Sequence, residues 1–98
     1  LFSQSAPSPF IKEYGVHMAT KITVLSNGTP VSGVTVLVGD LVGTLMTTNL
    51  RGVVSFDLTT GWEGFVILYM EVLGIPQTAL VHLIEGQNHN VDVLPLPI

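Results

Sequence analysis

Between Thr29 and Leu58 the chain reads TPVSGVTVLVGDLVGTLMTTNLRGVVSFDL, and this stretch restricts the fold more than any other. Three runs rich in Val, Leu, Phe and Thr are cut apart by glycine-bearing turns, and each run is too short to hold a helix by itself. They are read as strands. Over 34–38, Val34, Val36 and Val38 share one face and Thr35 and Leu37 the other. Gly39-Asp40 turns the chain into 42–47, and Asn49-Leu50-Arg51-Gly52 turns it again into 53–58. There Val54, Phe56 and Leu58 alternate with Val53, Ser55 and Asp57, the period of two expected of a half-buried strand.

The flanking chain continues the pattern. A first strand over 19–25 sets Ile22 and Val24 against Lys21 and Thr23 and is stopped by Ser26-Asn27-Gly28-Thr29-Pro30. Asn27-Gly28-Thr29 also spells a glycosylation acceptor, which has meaning only in a secreted chain. Residues 65–72 are apolar on both faces apart from Glu71, which predicts cover on both sides. Gly74-Ile75-Pro76 breaks that run, a strand follows over 78–84, and Glu85-Gly86-Gln87-Asn88 is read as a hairpin turn into the last strand. Seven strands with turns every 8–12 residues or so predict an all-β fold, a seven-stranded antiparallel sandwich of two sheets over residues 17–98. In the tail, Leu94, Leu96 and Ile98 alternate with Pro95 and Pro97, so the two prolines remove donors from one edge and leave the other able to pair.

Residues 1–16 differ in texture. Ser3, Ser5, Pro7, Ser8 and Pro9 describe an extended arm, yet Phe2, Phe10, Ile11 and Tyr14 are too apolar for an idle linker. Such an arm reads as a disordered terminus, as a first strand folded back on its own domain, or as a segment that docks on another copy. A chain of 98 residues is one domain, and without cysteine it has neither a disulfide frame nor a thiolate metal site. Three dispersed cations, Lys12, Lys21 and Arg51, and a net charge of -4 argue against nucleic acid as a partner. No apolar run reaches the roughly 20 residues of a membrane-spanning helix, so no membrane span is expected. A first residue of Leu is what removal of a secretory leader would leave, although an arbitrary boundary would look the same.

At Pro30-Val31-Ser32-Gly33-Val34-Thr35-Val36 and at Thr47-Thr48-Asn49-Leu50-Arg51-Gly52-Val53-Val54-Ser55-Phe56 the chain resembles the carboxypeptidase regulatory-like domains. These are transthyretin-like sandwiches, close in appearance to bacterial Ig-like surface domains. The family's Thr-Asp-x-x-Gly turn has Asn49 in place of Asp, and either side chain can bond the following backbone. The resemblance covers about residues 19–94 and implies a non-catalytic accessory or structural module, commonly extracellular. Enzymes on related folds carry a terminal Tyr-Arg-Gly-Ser or an iron-binding His-x-His with two tyrosines. Here the chain ends Leu94-Pro95-Leu96-Pro97-Ile98, and His89 is followed by Asn90-Val91.

Chemistry is otherwise sparse. If Gly86-Gln87 closes a two-residue hairpin, His82 and His89 fall on one sheet face, but no third ligand stands beside them and zinc sites need three or four. His17 has no partner visible in sequence. No cofactor, metal or catalytic residue is expected. What remains is an excess of apolar surface in a chain with only 10% charged residues. That excess predicts a structural subunit of an extracellular, cell-surface filament, pilus or adhesive assembly. Its copies would join as a homopolymer by donor-strand addition through Phe2, Phe10, Ile11, Tyr14, Leu94, Leu96 and Ile98. The alternative is an accessory binding or stabilising module of a larger secreted enzyme, receptor or virion protein.

Overall fold

The computed structural model describes residues 19–94. Eight strands follow one another: β1 (Thr20–Ser26), β2 (Thr29–Pro30), β3 (Thr35–Val38), β4 (Val42–Thr47), β5 (Val53–Phe56), β6 (Glu63–Val72), β7 (Ile75–Ile84) and β8 (Asn88–Asp92). They form two four-stranded sheets packed face to face. In the first, β5 and the two-residue β2 lie in succession along one side of β1, and β8 lies along the other. The second runs in the order β4-β3-β6-β7.

The alternations predicted from sequence are the ones the core uses. Ile22 and Val24 of β1, Val36 and Val38 of β3, and Val54 and Phe56 of β5 all point inward and are buried, joined by Val34 and Leu58 from the loops. Leu68, Met70 and Val72 from β6 and Leu83 from β7 complete the second layer, with Val91 and Val93 closing it from the β8 side. Each such side chain contributes roughly 1.5–3 kcal/mol relative to exposure.

Four expectations need correction. The sandwich has eight strands among the described residues, because Thr29 and Pro30 pair back on Leu25 and Ser26 through a two-residue hairpin at Asn27-Gly28. Both turn residues have positive φ, 52° and 78°, the geometry that suits the twist of flanking strands. Second, the sheets are not wholly antiparallel: β8 runs parallel to β1, with Lys21 opposite Asn88 and Leu25 opposite Asp92. Third, the turn at 85–87 is therefore no hairpin but a crossing from one sheet to the other. Fourth, β7 begins at Ile75 and not at 78. Leu73 and Gly74, at φ 49° and 79°, close a tight β6–β7 hairpin, so Pro76 lies inside a strand. Proline is tolerated there because β7 is the last strand of its sheet among the described residues.

The segment that carries the family resemblance is held by two polar devices. Thr48 is buried, and its hydroxyl donates to the Val31 carbonyl at 2.8 Å while accepting from the Val34 amide at 2.9 Å. Asn49 Oδ1 accepts from the amides of Arg51 (2.8 Å) and Val53 (3.1 Å), the expected Asx-type turn. Gly52 ends it at φ 77°, where an added Cβ would stand 2.7 Å from the Val24 carbonyl oxygen. Only glycine fits both the dihedral and the gap.

Candidate functional site

The period of two that buries Leu68, Met70 and Val72 turns Phe65, Ile67, Tyr69 and Glu71 of β6 to the opposite face of the sheet. The registers then decide what stands beside them. Phe65 pairs with His82, Ile67 with Leu80 and Tyr69 with Thr78 on β7, while Leu37 of β3 pairs with Tyr69 from the other side. Leu45 of β4 extends the row. Phe65 and Leu80 are each 69% exposed, Leu45 65%. The described residues cover the β6 run on its inner face and leave its outer face open.

This outer face has one polar corner. His82 Nε2 lies 2.8 Å from Glu63 Oε2, and the His82 ring stacks on Phe65 with centroids 4.8 Å apart at 20°. Both members of the pair are well exposed, so it fixes a side chain more than it stabilises the fold. The other sheet's outer face is different in kind, presenting Lys21, Thr23, Ser55, Asn88, Asn90 and Asp92 to solvent. One flank of the sandwich is oily, the other wet.

The strand edges are equally unequal. On β4 the ladder to β3 is interrupted, since Val36 faces Met46 but Val38 faces Val42, and such a bulge twists an edge away from further pairing. The β5 and β8 edges are four and five residues long, and β8 reads Asn-His-Asn-Val-Asp. By contrast β7 is ten residues long and in unbroken register with β6. Among the described residues β6 is its one hydrogen-bonded neighbour.

Between β7 and β8, the rims of the two sheets, lies a cleft of about 450 Å³ lined by Ala79, Val81, His82, His89, Asn90 and Val91 among others. Two side chains bridge its ends. Gln77 Oε1 accepts from the Leu94 amide at 2.9 Å. At the other end the His89 Nε2 accepts from the Ile84 amide at 3.0 Å, and its Nδ1 lies 3.0 Å from the Lys21 carbonyl. An acceptor at Nε2 places the proton on Nδ1, which then donates to Lys21.

His82 and His89 therefore belong to different sheets and do not share a face, because the turn between their strands crosses the sandwich. Among the described residues no group of three or more His, Cys, Asp and Glu could hold a metal ion. Leu94 is exposed two residues past the end of β8. Asn27 is exposed at its hairpin tip. Phe2, Phe10, Ile11, Tyr14, Leu96 and Ile98, the arm over 1–16, and His17 lie outside the described residues. Sequence reasoning passed over Thr48, Gln77 and the bridging role of His89. A buried threonine in an apolar stretch, next to an Asn turn, is the one signal that could have flagged the first. No helix among the described residues is long and apolar enough to cross a membrane.

Set beside protein-family models, the chain matches none, and a search of curated proteins finds no match.

Proposed function

We propose that this chain is a non-catalytic structural subunit of an extracellular, cell-surface filament or adhesive assembly, whose copies join by strand addition. The observation that carries this reading is the coincidence on one flank of the apolar outer face and the long regular β7 edge. An edge strand of that length, without a bulge and with its one proline next to its first residue, is a template for another strand. Main-chain bonds along such an edge supply affinity, while alternate side chains meet pockets on the two faces. Head-to-tail contacts whose rotation does not close a ring grow into filaments.

The fold belongs to the transthyretin-like side of the resemblance in this reading. In constant-type immunoglobulin domains the first two strands, A and B, share a sheet with E and D. Here β1 and β3, the first two long strands, lie in opposite sheets. The two resemblance motifs fall on β2–β3 and on the β4–β5 turn, where Thr48, Asn49 and Gly52 do structural work. Placement outside the cell rests on the resemblance.

The test is light scattering behind size exclusion over a hundred-fold concentration range, with electron microscopy of the concentrated sample. Wild type is expected to gain mass with concentration and to show fibres. The double variant Phe65→Lys/Leu80→Lys is expected to stay monomeric with an unchanged melting temperature, since neither side chain is in the core. A wild-type chain that stays a single monomeric species throughout would overturn the reading and leave the accessory-module alternative, in which a neighbouring domain covers the face.

A further inference from the structure

The regular register of β7 allows its open groups to be identified. In an antiparallel ladder successive residues direct their N–H and C=O alternately toward and away from the neighbouring strand. The Ile84 amide points away from β6, because it donates to His89 Nε2. By the period of two, Pro76, Thr78, Leu80 and His82 present their backbone groups to that same outer side. Pro76 has no N–H, and that of Ile84 is taken. Among the described residues the edge therefore offers three consecutive alternate residues, Thr78, Leu80 and His82, bounded by a proline at one end and a histidine cap at the other.

We propose that this window is an acceptor for the N-terminal segment of this same chain, residues 1–18, with Ser8, Phe10 and Lys12 as the pairing residues. Pro7 and Pro9 stand two apart, so in an extended strand both missing donors lie on one side. Ser8, Phe10 and Lys12 keep every donor and acceptor on the other side. Three complete residues thus face three open ones, and the proline-bearing side ends the sheet. Phe10 and Ile11 are adjacent and must project to opposite faces of the strand. β7 is apolar on both faces at that height: Leu80 faces out beside Ile67, and Ala79 and Val81 face the cleft.

Length and attachment agree. The segment joins the fold at Thr20, whose hydroxyl accepts from the Gly86 amide at 2.9 Å, while Lys21 N–H donates to the Gln87 carbonyl at 2.9 Å. It therefore starts from the Ile84 end of the β7–β8 cleft. At about 3.3 Å per residue, 18 residues reach roughly 60 Å, against about 33 Å for the whole of β7.

This inference rests on the strand-addition reading for its partner copy but not for its geometry, and one experiment separates the two. The chain has no cysteine, so pairs can be introduced without background. Leu80→Cys is combined with single cysteines at each position from 8 to 14 of the full chain and treated with a short thiol-specific cross-linker. The control partner is Leu50→Cys, 92% exposed on the far β4–β5 turn. Cross-linking to position 80 is expected to rise and fall with a period of two along the arm and to exceed that to position 50 at least ten-fold. A ladder of multimers supports both readings. Cross-linked monomer alone supports the acceptor window but overturns the assembly role. Rates equal for positions 80 and 50, with no period, overturn the acceptor assignment whatever the oligomeric state. As a second readout, Phe10→Asp/Ile11→Asp is expected to speed amide exchange at Thr78, Leu80 and His82 ten-fold or more and leave Val36 and Val38 unchanged.

Discussion

Replacing Thr48 by valine removes a hydroxyl and little else, since the two side chains have nearly the same shape. The structure specifies what is lost. Val34 is 1% exposed, and its amide donates to Thr48 Oγ1 at 2.9 Å, so in the variant that N–H is stranded in the interior at a cost of about 1–3 kcal/mol. The Val31 carbonyl loses the 2.8 Å bond from the same hydroxyl but is part-exposed and can take water, which adds only about 0.5–1 kcal/mol. The backbone bonds from Thr48 N to Val34 O and from Gly33 N to Thr48 O persist, so the loop keeps its path. A destabilisation of about 2–3 kcal/mol follows, a large share of the roughly 5–15 kcal/mol available to a domain of this size. At about 4–8 °C per kcal/mol it should lower the melting temperature by about 10–20 °C. Urea unfolding gives the cleaner measurement, because a shifted midpoint at constant slope isolates stability. Thr48→Ser supplies the control: it keeps the hydroxyl and drops one methyl, for about 1 kcal/mol. If valine proves no worse than serine, the hydroxyl is not what holds the 31–34 loop and the argument fails.

Other substitutions test neighbouring parts of the frame by the same unfolding assay. Gly52→Ala meets both a left-handed φ and a carbonyl oxygen at 2.7 Å and should cost about 2–4 kcal/mol, whereas Gly28→Ala, with similar φ but open space, should cost about 1. Equal losses at the two sites would mean that the close approach to Val24 is relieved at no cost. Asn49→Asp should lie within about 0.5 kcal/mol of wild type and Asn49→Ala should lose about 1–2, because the oxygen that accepts from Arg51 and Val53 survives only in the first. Leu73→Asn should stabilise by up to about 1 kcal/mol: Leu73 is 80% exposed at φ 49°, a conformation that asparagine tolerates better. A loss at this position would show that Leu73 makes an apolar contact worth more than its strain.

Much of this was legible in the chain because inward valines advertise themselves. Val34, Val36 and Val38, and Val54, Phe56 and Leu58, needed only the period of two to be placed in the core. What periodicity does not contain is which strand lies beside which. The parallel pairing of β8 with β1 joins residues more than sixty positions apart, and no local signal separates a crossing at Gly86-Gln87 from a hairpin. The β6–β7 turn was missed for a different reason. Pro76 looks like a strand breaker, and it is one for a central strand; on an edge it merely withholds a donor on the side where no described strand requires it. Leu73 at positive φ likewise carries no turn signature. The apolar outer face was legible as excess without being legible as a place, since only the registers bring Leu37, Ile67 and Leu80 together.

That excess also bears on how β6 is used. A strand buried on one face usually alternates apolar with polar, and β1 does so with Ile22 and Val24 against Lys21 and Thr23. Had β6 followed the same rule, Phe65, Ile67 and Tyr69 would be polar at no cost to the core, because none of them is in it. Their apolar character therefore answers to something outside the sandwich interior. The β7 edge invites the same conclusion independently. Pro76 blocks one end and His89 occupies the other, while the three residues between include no Asp, Glu, Lys or Arg, and the His82 ring is held 2.8 Å from Glu63 across the face. A strand guarded against indiscriminate pairing would have its obstacles in the middle. One with obstacles only at its ends admits a short partner in a fixed register and stops a longer one, and this is the physical difference between an acceptor and an aggregation site.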